Sequence, residues 1–208
     1  MQGCRPLSQE EVLLVLNRFA GRYAVRNKCL FVLGVLAGFR ITEMLSLRVK
    51  DVVAHKRIRG FLRVARRNMK GKKQSRVVFL ASEARLAIFD QVKALEWPGQ
   101  DVYLFRAQGE TNKPISYTQA RRVLLMAFDE CGITDQVGTH SLRKTFANDL
   151  FDSLLEQVAN GEHVDPFMEV SAGLGHCDPK STTHYLSFRD GSRRTAIQSM
   201  GARLSGEY

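Results

Sequence analysis

Long hydrophobic runs are missing from this chain of 208 residues. The longest, CLFVLGVLAGF at 29–39, falls well short of the roughly 20 apolar residues that a bilayer span needs, and it reads as a helix buried on all sides. The opening MQGCRPLSQEEV has no apolar stretch of the kind a secretory leader carries. Cysteine is scarce and scattered: Cys4, Cys29, Cys131 and Cys177 form no C-x-x-C pair, which argues against a zinc ribbon or a disulfide framework and fits a reducing, cytoplasmic compartment. Histidine spacing is equally unhelpful to a metal. His140, His163, His176, His184 and Cys177 include no H-x-x-x-H pair, so no metal site is expected. Negative charge is also in short supply, with 21 acidic residues against 31 lysines and arginines and a net charge of +10. A surplus of that size favours a polyanionic partner, nucleic acid ahead of a membrane, although a merely basic protein has the same balance.

What is present is an ordinary globular balance, 44% hydrophobic and 25% charged, with no repeats and no low-complexity stretch. Ser8 and Glu11 have capping-box spacing and open an amphipathic helix reaching about residue 21. A second helix covers about 23–37, and after Gly38 the chain restarts with Thr42 as a plausible cap. Residues 58–80 change character: IRGFLRVARR and SRVVFL are β-rich runs flanking NMKGKKQ, which predicts a hairpin or small antiparallel sheet with a cationic tip. Helices follow at about 82–95, from Ser116 (with Gln119 as a second capping box) to Gly132, and at about 140–160. A short helix then ends in LGH, and a final turn-and-helix unit starts at DPKSTTHYLSF. The fold class is α+β, mostly helical, with one small sheet, and a single domain over 1–208 is expected.

Several cationic and ring side chains stand out by type: Arg40 after the buried helix, Lys70 in the basic turn, His140 and Arg143 three apart, His176 after Leu174 and Gly175, and Tyr185 nine residues later. Singly, each has a plain explanation: a helix-end cation, a solvated loop lysine, a capping or turn histidine, an amphipathic core tyrosine. His140 and Arg143, at i and i+3, share one face near a helix N-terminus, where the backbone dipole favours an anion.

Together and in this order, VLAGFRITEMLSLRVKDV, THSLRKTFA and LGHCDPKSTTHY resemble the motifs of the tyrosine recombinases, or phage integrases, over nearly the whole chain. The resemblance implies that family's catalytic-domain fold and a site-specific recombinase that cuts and rejoins duplex DNA through a 3′-phosphotyrosine. It implies Tyr185 as nucleophile, Arg40 and Arg143 as clamps on the non-bridging oxygens, His176 as a further donor and His140 as general base. Lys70, just before Gly71, is favoured as general acid over Lys72 and Lys73, and Glu43 orients Arg40 rather than reacting. No cofactor is implied, because the bond energy is kept in the phosphotyrosine. Two guanidiniums suit the task because each bonds oxyanions bidentately and stays charged.

Candidate DNA contacts are Lys72, Lys73, Arg121, Arg122 and Lys144, the last either reaching a flanking phosphate or simply solvated. The implied partners are duplex DNA, a second copy on each site, a homotetramer at synapsis and accessory DNA-bending proteins; a nucleoid-associated setting follows. The resemblance also exposes departures. The segment 152–166 is lengthened, and no separate N-terminal core-binding domain is expected. A C-terminal amphipathic set, Ala196, Ile197, Met200 and Leu204, packs either in cis or on a neighbour. Rival readings stay open: a type IB topoisomerase-like or telomere-resolvase enzyme, or a non-catalytic DNA-binding protein of this fold.

Overall fold

The structure is a computed structural model that describes residues 4–64, 76–109, 111–176, 179–186, 197–198 and 200. Helix α1 (Gln9–Leu16) is opened by the expected capping box, in which Ser8 Oγ accepts from Glu11 N and Glu11 accepts from Ser8 N. It stops at Leu16, short of the expected residue 21. Helix α2 (Ala24–Ala37) is apolar on every side, and its Cys29, Leu30, Phe31 and Leu33 are fully buried. It packs against α5 (Ser82–Ala94) and α7 (Thr139–Ala159), which makes it the axis of the domain. A tilted Phe19–Phe31 pair and an edge-on Phe31–Phe128 pair tie α2 to its neighbours.

Short helices α3 (Ile41–Leu45) and α4 (Val49–Val52) follow. The expected cap at Thr42 is displaced: Arg40 is the N-cap, and its N–H donates to Glu43 Oε2 at 2.9 Å. The predicted single sheet is two. Strand β1 (Val53–Ala54) pairs with β2 (Arg57–Ile58), and β3 (Phe61–Val64) pairs with β4 (Arg76–Phe79), both antiparallel. In the second pair Leu62 faces Val78 and Val64 faces Arg76, and all four point inward. The strands' period of two therefore puts an arginine in phase with the core. The cationic tip of this hairpin, with Lys70, Lys72 and Lys73, lies outside the described residues.

Helix α6 (Tyr117–Glu130) begins at Ser116, whose hydroxyl accepts from Gln119 N. The reciprocal half of the expected box is replaced, because Gln119 Oε1 accepts from Arg122 instead. Helix α8 (Pro166–Leu174) starts with Asp165 capping Phe167 and Met168 and ends at Gly175. A 3-10 turn, Pro179–Thr182, leads to Tyr185. The large core runs from Leu7 to Leu142 and joins α1 to α6 with the start of α7. A much smaller cluster, Ala147, Leu154, Val170 and Leu174, joins the rest of α7 to α8, and Tyr185 packs against it. Of the C-terminal apolar set, Ile197 and Met200 are exposed, and Ala196 and Leu204 lie outside the described residues. Among the described residues no helix is long and apolar enough to cross a membrane.

Candidate active site

Two helix ends and one strand end meet where the large and small cores touch. Helix α2 ends at Gly38, in the left-handed region at φ 59, where an added Cβ would run into the Phe146 ring. Only glycine turns the chain there without strain. The turn delivers Arg40 to the surface and leaves the Gly38 carbonyl pointing at α7, where Arg143 Nη1 donates to it.

Arg143 is 1% exposed, an unusual place for a guanidinium. Its Nη2 donates to Leu174 O at 2.7 Å, so one side chain spans from the end of α2 to the end of α8. Its Nε is buried and unpartnered. Burial foremost, then the charges of Arg40 and Arg76, push the guanidinium below its ordinary range. The opposite charge of an oxyanion would offset these pressures.

Arg76, which sequence reasoning passed over, is the third member. Its Nη2 bonds Glu43 Oε2 at 2.7 Å and its Nη1 donates to Gly173 O at 2.7 Å. Glu43 bonds Arg40 Nη1 through its other oxygen at 2.8 Å, so one fully buried carboxylate holds two arginines. Burial by itself pushes the Glu43 carboxyl up. Arg76, the Arg40 N–H, Arg40 and Arg143 together outweigh it, and the group ends below the usual carboxylate range. Glu43 thus orients Arg40, and faces guanidiniums rather than open space. Three guanidiniums against one carboxylate leave two positive charges uncompensated.

Gly175, at φ 62, packs so closely on Arg76 that a Cβ would come within 2.5 Å of its Cδ. The turn places His176 beside Arg143. His176 Nε2 lies 3.3 Å from Arg143 Nη2, and Nδ1 lies 2.8 Å from Thr182 Oγ1. A guanidinium only donates, so Nε2 accepts and the proton sits on Nδ1, directed at the buried Thr182 hydroxyl. In this tautomer His176 steadies Arg143; to donate to a phosphate it must gain a proton or exchange tautomer.

The Tyr185 ring is 5.1 Å from the His176 ring and 5.1 Å from Arg143 Cζ. It is half-buried, and its carbonyl accepts from Asn148 Nδ2 at 2.9 Å. The phenol ring therefore stands beside Arg143 of its own chain.

His140 is two residues into α7 and exposed at the rim. Desolvation foremost, then Arg143, Arg40 and Lys144, hold its pKa below the ordinary 6.5. The imidazole is neutral at neutral pH, as a proton acceptor must be. A cavity of about 160 Å³ opens between Arg40, Thr42, His140, Arg143 and Tyr117. Tyr117 opens α6, and its hydroxyl is 3.4 Å from Thr139 Oγ1. Arg121 and Arg122 are exposed one turn further along α6, and Lys144 is half-buried on α7.

Arg40, Glu43, His140, Arg143, His176 and Tyr185 therefore converge, joined by Arg76, Thr182, Asn148 and Tyr117. Arg76 had a sequence signal, its phase with Val78 and Leu80 in SRVVFL; the other three had none. Among the described residues no group of three or more His, Cys, Asp or Glu side chains could hold a metal ion.

A desolvated arginine cluster beside a phenol offers the fixed donors that stabilise a developing oxyanion. The chain belongs to the phage integrase family, which it matches over residues 6–191. It is 27% identical over 197 residues to the probable integrase/recombinase YoeC of Bacillus subtilis (strain 168), an alignment covering 95% of this chain and 97% of YoeC. It is 25% identical to the tyrosine recombinase XerH of Campylobacter jejuni, over 84% of this chain but only 44% of XerH. The fold is that of the XerA recombinase crystal structure, with TM-score 0.69 and 19% identity, covering 96% of this chain and 66% of XerA. The XerH site-specific recombinase bound to its palindromic difH substrate gives TM-score 0.67 at 20% identity, covering 92% of this chain and 51% of that one. The chain thus spans half to two thirds of the length of these structural relatives.

Proposed function

We propose that this chain is a site-specific DNA recombinase that cleaves and rejoins duplex DNA through Tyr185. The observation that carries the reading is the pairing of three guanidiniums and one carboxylate with a phenol whose ring is 5.1 Å from Arg143 Cζ. A phosphodiester carries one negative charge and its pentacoordinate transition state about two, which the uncompensated charge of the cluster balances. The differential is catalytic because the match is to the transition state rather than to the resting diester.

In the proposed reaction the Tyr185 phenol oxygen attacks phosphorus and the bond to the 5′ oxygen breaks. The phenol proton passes to neutral His140. The departing 5′ oxygen takes a proton from a lysine of the basic turn, Lys70 in this reading, with Lys72 and Lys73 as neighbouring phosphate contacts. The 3′-phosphotyrosine keeps the bond energy, and a 5′ hydroxyl from another strand reverses the step. Arg40 and Arg143 hold the non-bridging oxygens, Glu43 positions Arg40, and Arg121, Arg122 and Lys144 contact flanking DNA. Exchange between two sites needs four copies, a dimer on each, aided by accessory DNA-bending proteins in a nucleoid-associated setting. In support, XerH was solved with its difH substrate, and YoeC, of nearly the same length as this chain, is named an integrase/recombinase.

The test is adduct trapping. Nicked suicide duplexes, selected from genomic fragments that the protein protects, are incubated with wild type and with Tyr185→Phe. The wild type is expected to give a denaturant-stable protein–DNA adduct and the variant none, with duplex binding within about twofold, because a phenol hydroxyl adds little to a mostly phosphate-driven affinity. No adduct from the wild type favours the binding-only alternative, and relaxation of a plasmid lacking any protected site favours the topoisomerase-like one.

A further inference from the structure

A second arginine cluster lies at the other end of α2, about 20 Å along its axis from Gly38. Helix α2 starts at Tyr23 with no side-chain cap and no acidic residue in its first turn. Instead its first turn carries Arg26, which is 7% exposed. A buried cation at a helix N-terminus opposes the macrodipole, and burial pushes this guanidinium below its ordinary range. Its partners are neutral: Asn27 Oδ1 at 3.0 Å from Nη2, and Arg106 O at 3.4 Å from Nη1.

Arg22 and Arg26 both lie over the Tyr23 ring, with Cζ at 5.7 and 4.4 Å from its centroid. Arg106 Nη2 donates to Gly109 O, while its Nε is buried without a partner, as is the Tyr23 hydroxyl. These side chains line a cavity of about 330 Å³ together with Gln91 and Gln108, and none of its lining residues is acidic. Among the described residues, none of the three arginines pairs with a carboxylate, in contrast to the Glu43 arrangement at the other end of the helix.

We propose that this cavity is a second oxyanion site, which binds the phosphate-monoester group of a small molecule. A tetrahedral dianion suits it on four counts. It would give the buried, unpartnered Arg106 Nε and Tyr23 hydroxyl an acceptor once they turn to the cavity, bridges Arg22 and Arg26, faces the uncapped end of α2, and meets no carboxylate among the described lining residues. The concave shape and volume fall in the range of small-molecule sites, about 300–1,000 Å³. With the Tyr23 ring already engaged by two guanidiniums, recognition centres on the phosphoryl group rather than on a stacked base. Occupancy would tie the start of α2 and the end of α5 to the 106–109 loop. The proposal is independent of the recombinase reading.

The test uses the full chain in an Arg40→Ala background, which weakens the catalytic anion site. Inorganic phosphate is titrated by calorimetry at constant ionic strength against chloride, followed by a nucleoside monophosphate. Saturable phosphate binding is expected, weakened at least about tenfold in Arg22→Gln/Arg106→Gln, as expected for loss of charge-assisted hydrogen bonds. Tighter binding of the nucleotide assigns the phosphate to a larger ligand, and equal binding assigns recognition to the phosphoryl group alone. Tyr23→Phe covers the case in which the double variant does not fold: it is expected to raise Tm without phosphate, since the lost hydroxyl had no partner, and to lower phosphate affinity several-fold. Phosphate binding no tighter than chloride overturns the proposal, as does unchanged affinity in the folded variants. So does a double variant that loses duplex affinity although phosphate never bound, which would make the cluster a contact for the DNA backbone.

Discussion

The two halves of the candidate active site rest on unequal foundations. Arg40, Glu43 and His140 stand on the large core, where α2, α5 and the start of α7 interlock. His176 and Tyr185 stand on the small cluster of Ala147, Leu154, Val170 and Leu174. Arg143 joins the halves through the carbonyls of Gly38 and Leu174, and Arg76 does so through Glu43 and Gly173. The proposed phosphate clamp is thus built as part of the stable body, and the proposed nucleophile as part of a lightly packed annex riveted to it by arginines. Few buried apolar contacts mean low local stability. The annex should therefore open first, carrying the phenol while leaving the clamp in place.

The largest expected effect comes from cutting the rivets at their shared anion. Glu43→Gln leaves the buried Arg76 and the part-exposed Arg40 without a carboxylate and should destabilise the protein by about 3–5 kcal/mol in urea unfolding. Its pH signature is specific. The Glu43 carboxyl sits below its ordinary value of 4.5, so its contribution is present above that pH and is lost as the pH falls through the folded value. The variant should lack that part of the acid loss, and an identical acid profile in both proteins would place the stabilisation elsewhere.

Next is the annex itself. Leu174→Ala removes a fully buried side chain from a four-residue cluster and should cost about 2–3 kcal/mol. Amide exchange should rise in α8 and around Tyr185 while the amides of α2 keep their protection. Uniform loss of protection would mean that the two regions unfold as one, and the comparison fails.

A smaller effect is expected from Asn148→Ala, which frees the Tyr185 carbonyl. The substitution also removes the bond to Lys144 O, but loss of the one that holds Tyr185, about 1 kcal/mol, should slow adduct formation about fivefold at unchanged DNA affinity. A fall in affinity instead would give Asn148 a binding role.

The smallest effect on stability, though not on rate, is expected at His140 on the clamp side. Its pKa lies below 6.5, so the imidazole is a neutral base through most of the working range and protonates only as the pH falls below that value. Adduct formation should hold level down to about pH 6.5 and decline beneath it, and His140→Gln should be slower and lose this acid limb. An acid limb that survives the substitution assigns it to another group.

Much of the site was legible because spacing carries it. Arg40 with Glu43, His140 with Arg143, and Leu174-Gly175-His176 with Tyr185 are local patterns, each set by one helix end or turn. Arg76 was legible as an inward strand position but not as a partner of Glu43, and Asn148 was not legible, because both act across the fold: Arg76 reaches Glu43 and Gly173, and Asn148 reaches Tyr185; Thr182, six residues from His176, and Tyr117 carried no signal. The hairpin's existence could be read from its β-rich runs, but the separate β1–β2 pair just before it and the displaced cap at Arg40 could not. Both depend on which backbone groups find tertiary partners.

By itself the sequence determined the helical character, the basic charge and the order of the chemical groups, since propensity, periodicity and charge are properties of neighbouring residues. Only the tertiary structure decided that a single buried carboxylate serves two arginines at one end of α2 while, among the described residues, three arginines at the other end share none. Desolvation and charge balance depend on groups far apart in the chain, and folding alone brings them within reach of one another.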